Sequence, residues 1–238
     1  MVVTNKAIVL SSVKYADNDL IVKCYTELGI KSFLVKRIFS RKKGKLSPAF
    51  FMPLTQLEIS ANYHSNRTLH FIQDASISYA YSSISVNVVK QTIVIFLSEI
   101  LCKSLHEEEV NEQLFQYLET SLIWLDTNDE VSNFHLLFLL NLTKHLGFHP
   151  ENQNLEYPFF SLEEGRFLNS IPKNDFISDE KLTYLKSLLG INFVRLHTLK
   201  FNSSERQAVL DILLRYFELH LTGFKKPKSL AILKSVFE

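Results

Sequence analysis

The hydrophobic pattern changes period once, near residue 80, and that change constrains the fold more than any other feature of the chain. Before it, runs rich in β-branched residues cover 6–13, 20–26, 30–38, 54–60 and 68–77. Glu27-Leu28-Gly29 forms a short turn between the second and third runs, and an Asn-rich stretch, 62–67, separates the last two. Runs bounded in this way read as strands. After residue 85 the apolar positions fall at helical spacing: Val89, Ile93, Phe96, Leu97, Ile100 and Leu101, then Leu114, Tyr117, Leu118 and Leu122. Stripes at that spacing predict helices that bury one face. A third helix is predicted over 134–146, with Lys144 and His145 in its last turn and Gly147 and Pro150 as its stop. Two more are predicted over 179–189 and from 203, where Asn202 and Glu205 have capping-box spacing, and a short one follows Pro227.

Five strands followed by helices predict an α+β chain. Residues 1–80 read as a five-stranded OB-fold β-barrel, an architecture that closes its sheet and binds single strands with one face and its loops. Residues 81–238 read as an all-helical domain, and a length of 238 residues accommodates two compact units. No apolar run approaches the roughly 20 residues of a membrane-spanning helix, and no signal peptide is evident, so a cytosolic protein is expected. Cys24 and Cys102 lie far apart on a predicted strand and a predicted helix, which suits reduced thiols better than a disulfide.

The formal net charge of +1 conceals a division of sign. Residues 1–80 hold eleven Lys and Arg against five Asp and Glu, net +6, while 81–238 hold fifteen against twenty, net −5. Lys31, Lys36, Arg37, Arg41, Lys42, Lys43 and Lys45 occur with no acidic residue among them. Such a density raises phosphate affinity by counterion release, although a solvated surface loop would show the same composition. Single-strand binding also uses aromatic rings on which bases stack. Tyr15, Tyr25, Phe33, Phe39 and Tyr63 are the candidates, with Phe39 at the loop entrance favoured and Phe33 reading as core.

No catalytic constellation emerges. His106-Glu107-Glu108-Glu109 lacks the second histidine of a zinc-protease helix, and no Gly-rich phosphate loop or nucleophile elbow occurs. The expectation is a non-enzymatic protein without a cofactor. His145 and His149 have ligand-like spacing, but Gly147 and Pro150 interrupt the helix and no thiolate accompanies them, so no metal site is expected.

Two stretches, one at each end, resemble the RecO family of bacterial recombination mediators. The first runs from Ala7-Ile8-Val9-Leu10 through Tyr15, Asp19, the 25–29 hairpin and the basic loop to Pro53-Leu54; the second comprises 214–221, Gly223-Phe224 and 227–230. With 146–150 and 163–167 between them, the resemblance spans essentially the whole chain. It implies a protein that binds single-stranded DNA, and duplex less tightly, pairs with RecR and sometimes RecF, anneals complementary strands and assists RecA loading. It also implies capture of the acidic, Phe-ended tail of the single-strand coating protein. Candidate positions for that tail are Lys144, His145 and Phe148, or the basic segment Lys225, Lys226 and Lys228. Many members hold zinc with four cysteines just after the helix corresponding to 134–146, and none occurs here between Asn141 and the C-terminus. A zinc-free hairpin packed by Tyr157, Phe159, Phe160 and Phe167 is expected at about 150–170. On the residues alone, a generic OB-fold RNA- or tRNA-binding factor and a structural adaptor remain alternatives.

Overall fold

The structure is a computed structural model that describes residues 2–40, 46–63, 68–105 and 110–238. The chain divides into two compact units, 1–127 and 128–238.

In the first unit, β1 (Val2–Tyr15), β2 (Asp19–Thr26), β3 (Gly29–Val35), β4 (Gln56–Asn62) and β5 (Leu69–Tyr79) close into a barrel of order β1-β2-β3-β5-β4. All neighbours are antiparallel except β3 and β5, whose parallel register sets Ser32 against Leu69 and Leu34 against Phe71. The five strands therefore form an OB-fold. Ala7, Val9, Val22, Cys24, Phe33, Val35, Leu57 and Ile59 fill one cluster. Ile8 and Leu10 are equally buried outside that cluster, so β1 is covered on both faces. This explains why 7–10 is an unbroken apolar run rather than an alternating one.

The second cover is helical. Helix α1 (Val88–Ser104) lies against β1, with Ser98 Oγ donating to the Leu10 carbonyl at 2.6 Å. Helix α2 (Glu112–Thr127) is tied to the strands by the ion pair Lys6–Glu119 at 2.8 Å and by a stack of Phe115 on Tyr25. Tyr25 is thereby core, as is Phe33.

Two local features depart from the sequence expectations. The third strand ends at Val35 rather than Ile38, because Arg37 adopts φ 57° and reverses the chain. A 3-10 helix, Pro48–Phe51, occupies a stretch without a predicted element; Ser47 caps it and Pro48 starts it, a favourable pairing at a helix start. It delivers the fully buried Phe51 to the barrel core.

The second unit contains α3 (Phe134–His145), α4 (Asp179–Leu189), α5 (Ser203–His220) and α6 (Leu230–Val236). Gly147 at φ 82° ends the α3 segment, and Asn202 and Glu205 form the complete capping box of α5. A three-stranded sheet is formed by β6 (Phe159–Ser161), β7 (Arg166–Leu168) and β8 (Phe176–Ile177); β6 and β7 fall within the 150–170 stretch, and β8 adds a third strand beyond it. No described helix is long and apolar enough to cross a membrane.

Candidate nucleic-acid interface

At the end of β3 the chain enters a tight turn that is fastened to the β1–β2 connection. The Arg37 amide donates to Asp19 Oδ1 at 2.8 Å, and the Phe39 amide to the Asn18 carbonyl at 3.1 Å. Ser40 closes the turn with a bond to the Arg37 carbonyl. Asp19 thus commits one carboxylate oxygen to the backbone of the turn, and Arg37 is exposed.

This fastening gathers cations and rings. Lys14, near the end of β1, places its ammonium 5.9 Å from the centre of the Phe39 ring, and Phe39 is 41% exposed. Lys36 places its ammonium 4.9 Å from the Phe71 ring. Cations over aromatic faces at these separations are attracted by the ring quadrupole. Beside the second pair lies a groove of about 540 Å³ whose walls include Leu34, Lys36, Arg37, Ile38, Phe71 and Gln73. Among the described residues that line it there is no carboxylate. Cations, rings, an amide and apolar wall together offer phosphate neutralisation and base stacking in one place.

The predicted residues are partly united. Lys36, Arg37 and Phe39 share this end of the barrel, but on the turn rather than on the strand. Lys31 stands near the other end of β3, opposite Cys24, roughly 16 Å of strand from Lys36. Arg41, Lys42, Lys43 and Lys45 lie outside the described residues. Of the aromatic candidates, Tyr15 is exposed, whereas the Tyr63 hydroxyl accepts from Asn5 and its ring packs on Phe33 and His70. Lys14 and Phe71 were invisible to sequence reasoning. One meets Phe39 only after the turn folds back, and the other reaches Lys36 only through the parallel β3–β5 pairing.

In the second unit Lys144 is exposed and His145 half-buried at the end of α3. Burial and the neighbouring Lys144 charge both lower the His145 pKa. Phe148 stacks face to face on His220 at 5.2 Å, meets Phe217 edge-on and accepts at its carbonyl from the Tyr216 hydroxyl. Its ring serves an aromatic cluster. Lys225, Lys226 and Lys228 are exposed, with Lys226 4.0 Å from Glu218.

The residues at the sheet 159–177 do not fit the four-cysteine zinc site that the resemblance implies, since neither cysteine of the chain lies there. The sheet at 159–177 packs Phe160, Leu162, Phe167 and Ile177 against Leu182, Leu185, Ile212 and Tyr216, an apolar environment without thiolates. His149 directs Nδ1 at the Thr143 hydroxyl, 2.9 Å away. Among the described residues no three His, Cys, Asp or Glu gather into a metal-holding group.

Comparison with known families decides the relationship. The model for the N-terminal region of recombination protein O matches residues 1–81, and that for its C-terminal region matches 87–231. The chain belongs to the RecO family. Similar RecO-family proteins include the DNA repair protein RecO of Flavobacterium psychrophilum, 46% identical over 238 residues that span 100% of both chains. That of Christiangramia forsetii is 42% identical over 239 residues, again 100% of both. The Bacteroides fragilis protein is 35% identical over 236 residues, 97% of each. A role in DNA repair follows from this membership, and the barrel with its cationic end is the RecO N-terminal OB-fold of this chain.

Proposed function

We propose that the protein is a non-enzymatic mediator that binds single-stranded DNA through the cationic end of its barrel and anneals complementary strands. The supporting observation is the acid-free groove with Lys36, Arg37 and Phe71, adjoining Phe39 and Lys14, in a chain whose relatives are named DNA repair proteins. Two strands repel each other through their phosphates. A surface that neutralises phosphates while leaving most base edges free lowers that barrier without nucleotide hydrolysis. In this reading Lys31 and the loop cations Arg41, Lys42, Lys43 and Lys45 extend the phosphate track, and duplex binds less tightly.

The wider role is assistance of RecA loading together with RecR, on strands covered by the single-strand coating protein. The acidic, Phe-ended tail of that protein would be held in the second unit, by Lys225, Lys226 and Lys228 or by Lys144 with His145 and Phe148. Because the Phe148 ring is engaged by three aromatic neighbours, the exposed C-terminal lysines are the better site.

Annealing of complementary oligonucleotides, followed by strand-specific fluorescence with and without the coating protein, tests the mediator reading. ATP-independent annealing that persists on coated strands is expected. Binding that requires 2′-hydroxyls would replace it with an RNA-binding role, and the absence of annealing would end it. For the partner, anisotropy of a labelled tail peptide should show salt-sensitive binding that is lost on combined substitution of Lys225, Lys226 and Lys228. Loss with Lys144→Glu instead would move the site to the end of α3.

A further inference from the structure

Two kinds of contact are available to a strand at the barrel end, and they differ in what they can recognise. Ammonium and guanidinium groups see phosphates, which single strands and duplexes both carry. An aromatic face sees a base only when that base is unpaired and unstacked. The groove beside β3 and β5 holds one such face on a rigid element. Phe71 is fixed in strand β5 by its pairing with β4 and by the parallel register that sets it against Leu34, whereas Phe39 rides on a turn. The Phe71 ring remains partly exposed at the groove, with the Lys36 ammonium 4.9 Å from its centre. The cation above it and Gln73 beside it, in a groove with Arg37 and no lining carboxylate, suit one occupant: an unpaired nucleotide whose base stacks and whose phosphate meets Lys36 or Arg37.

We infer that Phe71 and Lys36 form a stacking subsite for a single unpaired base, and that this subsite is what distinguishes single strands from duplex. The inference rests on the proposed single-strand binding and adds a division of labour. The loop cations bind any phosphate backbone, and Phe71 selects the unpaired state. Phe71→Leu removes the ring and keeps an apolar plug. In the full chain it should weaken oligo(dT) binding about tenfold, in the range of one stacked base. Duplex affinity and the salt slope for oligo(dT) should stay as they were. The parent chain should prefer oligo(dT) to an abasic strand of equal length, and Phe71→Leu should erase most of that preference.

Phe71→Trp reports the contact directly and preserves the ring. Its fluorescence, after subtraction of the contribution of Trp124, which is the single tryptophan of the chain, should be quenched by oligo(dT) and not by duplex. Equal losses for single strand and duplex in Phe71→Leu, or no quenching in Phe71→Trp, would overturn the subsite. A parallel measurement separates this failure from a wider one. If neutralising the four loop cations abolishes binding while Phe71→Leu does not, only the stacking subsite falls. If the parent chain itself does not bind oligo(dT), the proposed single-strand role falls with it.

Discussion

Asp126 lies in the last turn of α2, where the helix dipole disfavours a carboxylate, and it is nevertheless almost fully buried. The hydrogen bonds it accepts account for this. The amides of Ser82, Ser83 and Ile84 donate at 2.8–2.9 Å, and the Ser82 hydroxyl donates at 3.0 Å. Lys90, also buried, donates to the Asp126 carbonyl and to Ser83 Oγ. Burial works against the ionised form, but the bonds from Ile84, Ser82 and Ser83 outweigh it and hold the pKa at about 2. Since the unfolded value is about 3.9, the contribution is fully present above pH 4 and is lost as pH falls through about 2. Asp126→Asn should therefore cost on the order of 2 kcal/mol at neutral pH. In urea titrations the gap to the parent should narrow between about pH 4 and pH 2. A gap that stays constant through that window would mean that the ionised carboxylate is not what matters. Nothing in the sequence marks this residue. An aspartate near a helix end and two serines more than forty positions earlier carry no mutual signal until the fold joins them.

Elements with local causes were legible in the sequence, and those with distant causes were not. The five strands, the stop of α3 and the start of α5 follow from periodicity, Gly147 and the Asn202–Glu205 box. The shorter β3 depends on a bond from Arg37 to Asp19, eighteen residues earlier, and the 3-10 helix at 48–51 combines the local start at Ser47-Pro48 with a barrel core that takes in Phe51. Of the candidate site, the cation run was readable from composition, but Phe71 required knowledge that β3 and β5 pair in parallel. The sheet in the second unit provides a test at this scale. Gly165 adopts φ 68° in the turn between β6 and β7, and a Cβ there would collide with the Tyr216 hydroxyl of α5. That hydroxyl is held by its bond to the Phe148 carbonyl at 2.9 Å. Gly165→Ala should destabilise the protein by roughly 2–4 kcal/mol, from backbone strain plus overpacking. In a Tyr216→Phe background the overpacking share should largely disappear, which a double-mutant cycle measures. Strict additivity of the two changes would show that Gly165 is required for its φ alone.

Across the whole molecule the decisive quantity is the separation of charge, +6 in the first eighty residues against −5 in the remainder. A chain of net +1 has little general attraction for a polyanion, so any strong salt dependence of DNA binding has to arise locally. Neutralising Arg41, Lys42, Lys43 and Lys45 together tests this without reference to the geometry of that segment. Binding should weaken for every sequence alike, and the slope of log K against log salt should fall by up to about 3 if each cation meets one phosphate of a single strand. Position on the barrel then divides the remaining cations. Lys36 lies at the groove, so Lys36→Gln should reduce the slope by a further fraction of a unit, while Lys31→Gln, toward the other end of β3, should reduce it less. Equal effects of Lys31→Gln and Lys36→Gln would mean that the strand runs along the length of β3 rather than across its end. An unchanged slope in the fourfold variant would remove the loop from the interface and leave Lys14, Lys36 and Arg37 to carry it alone.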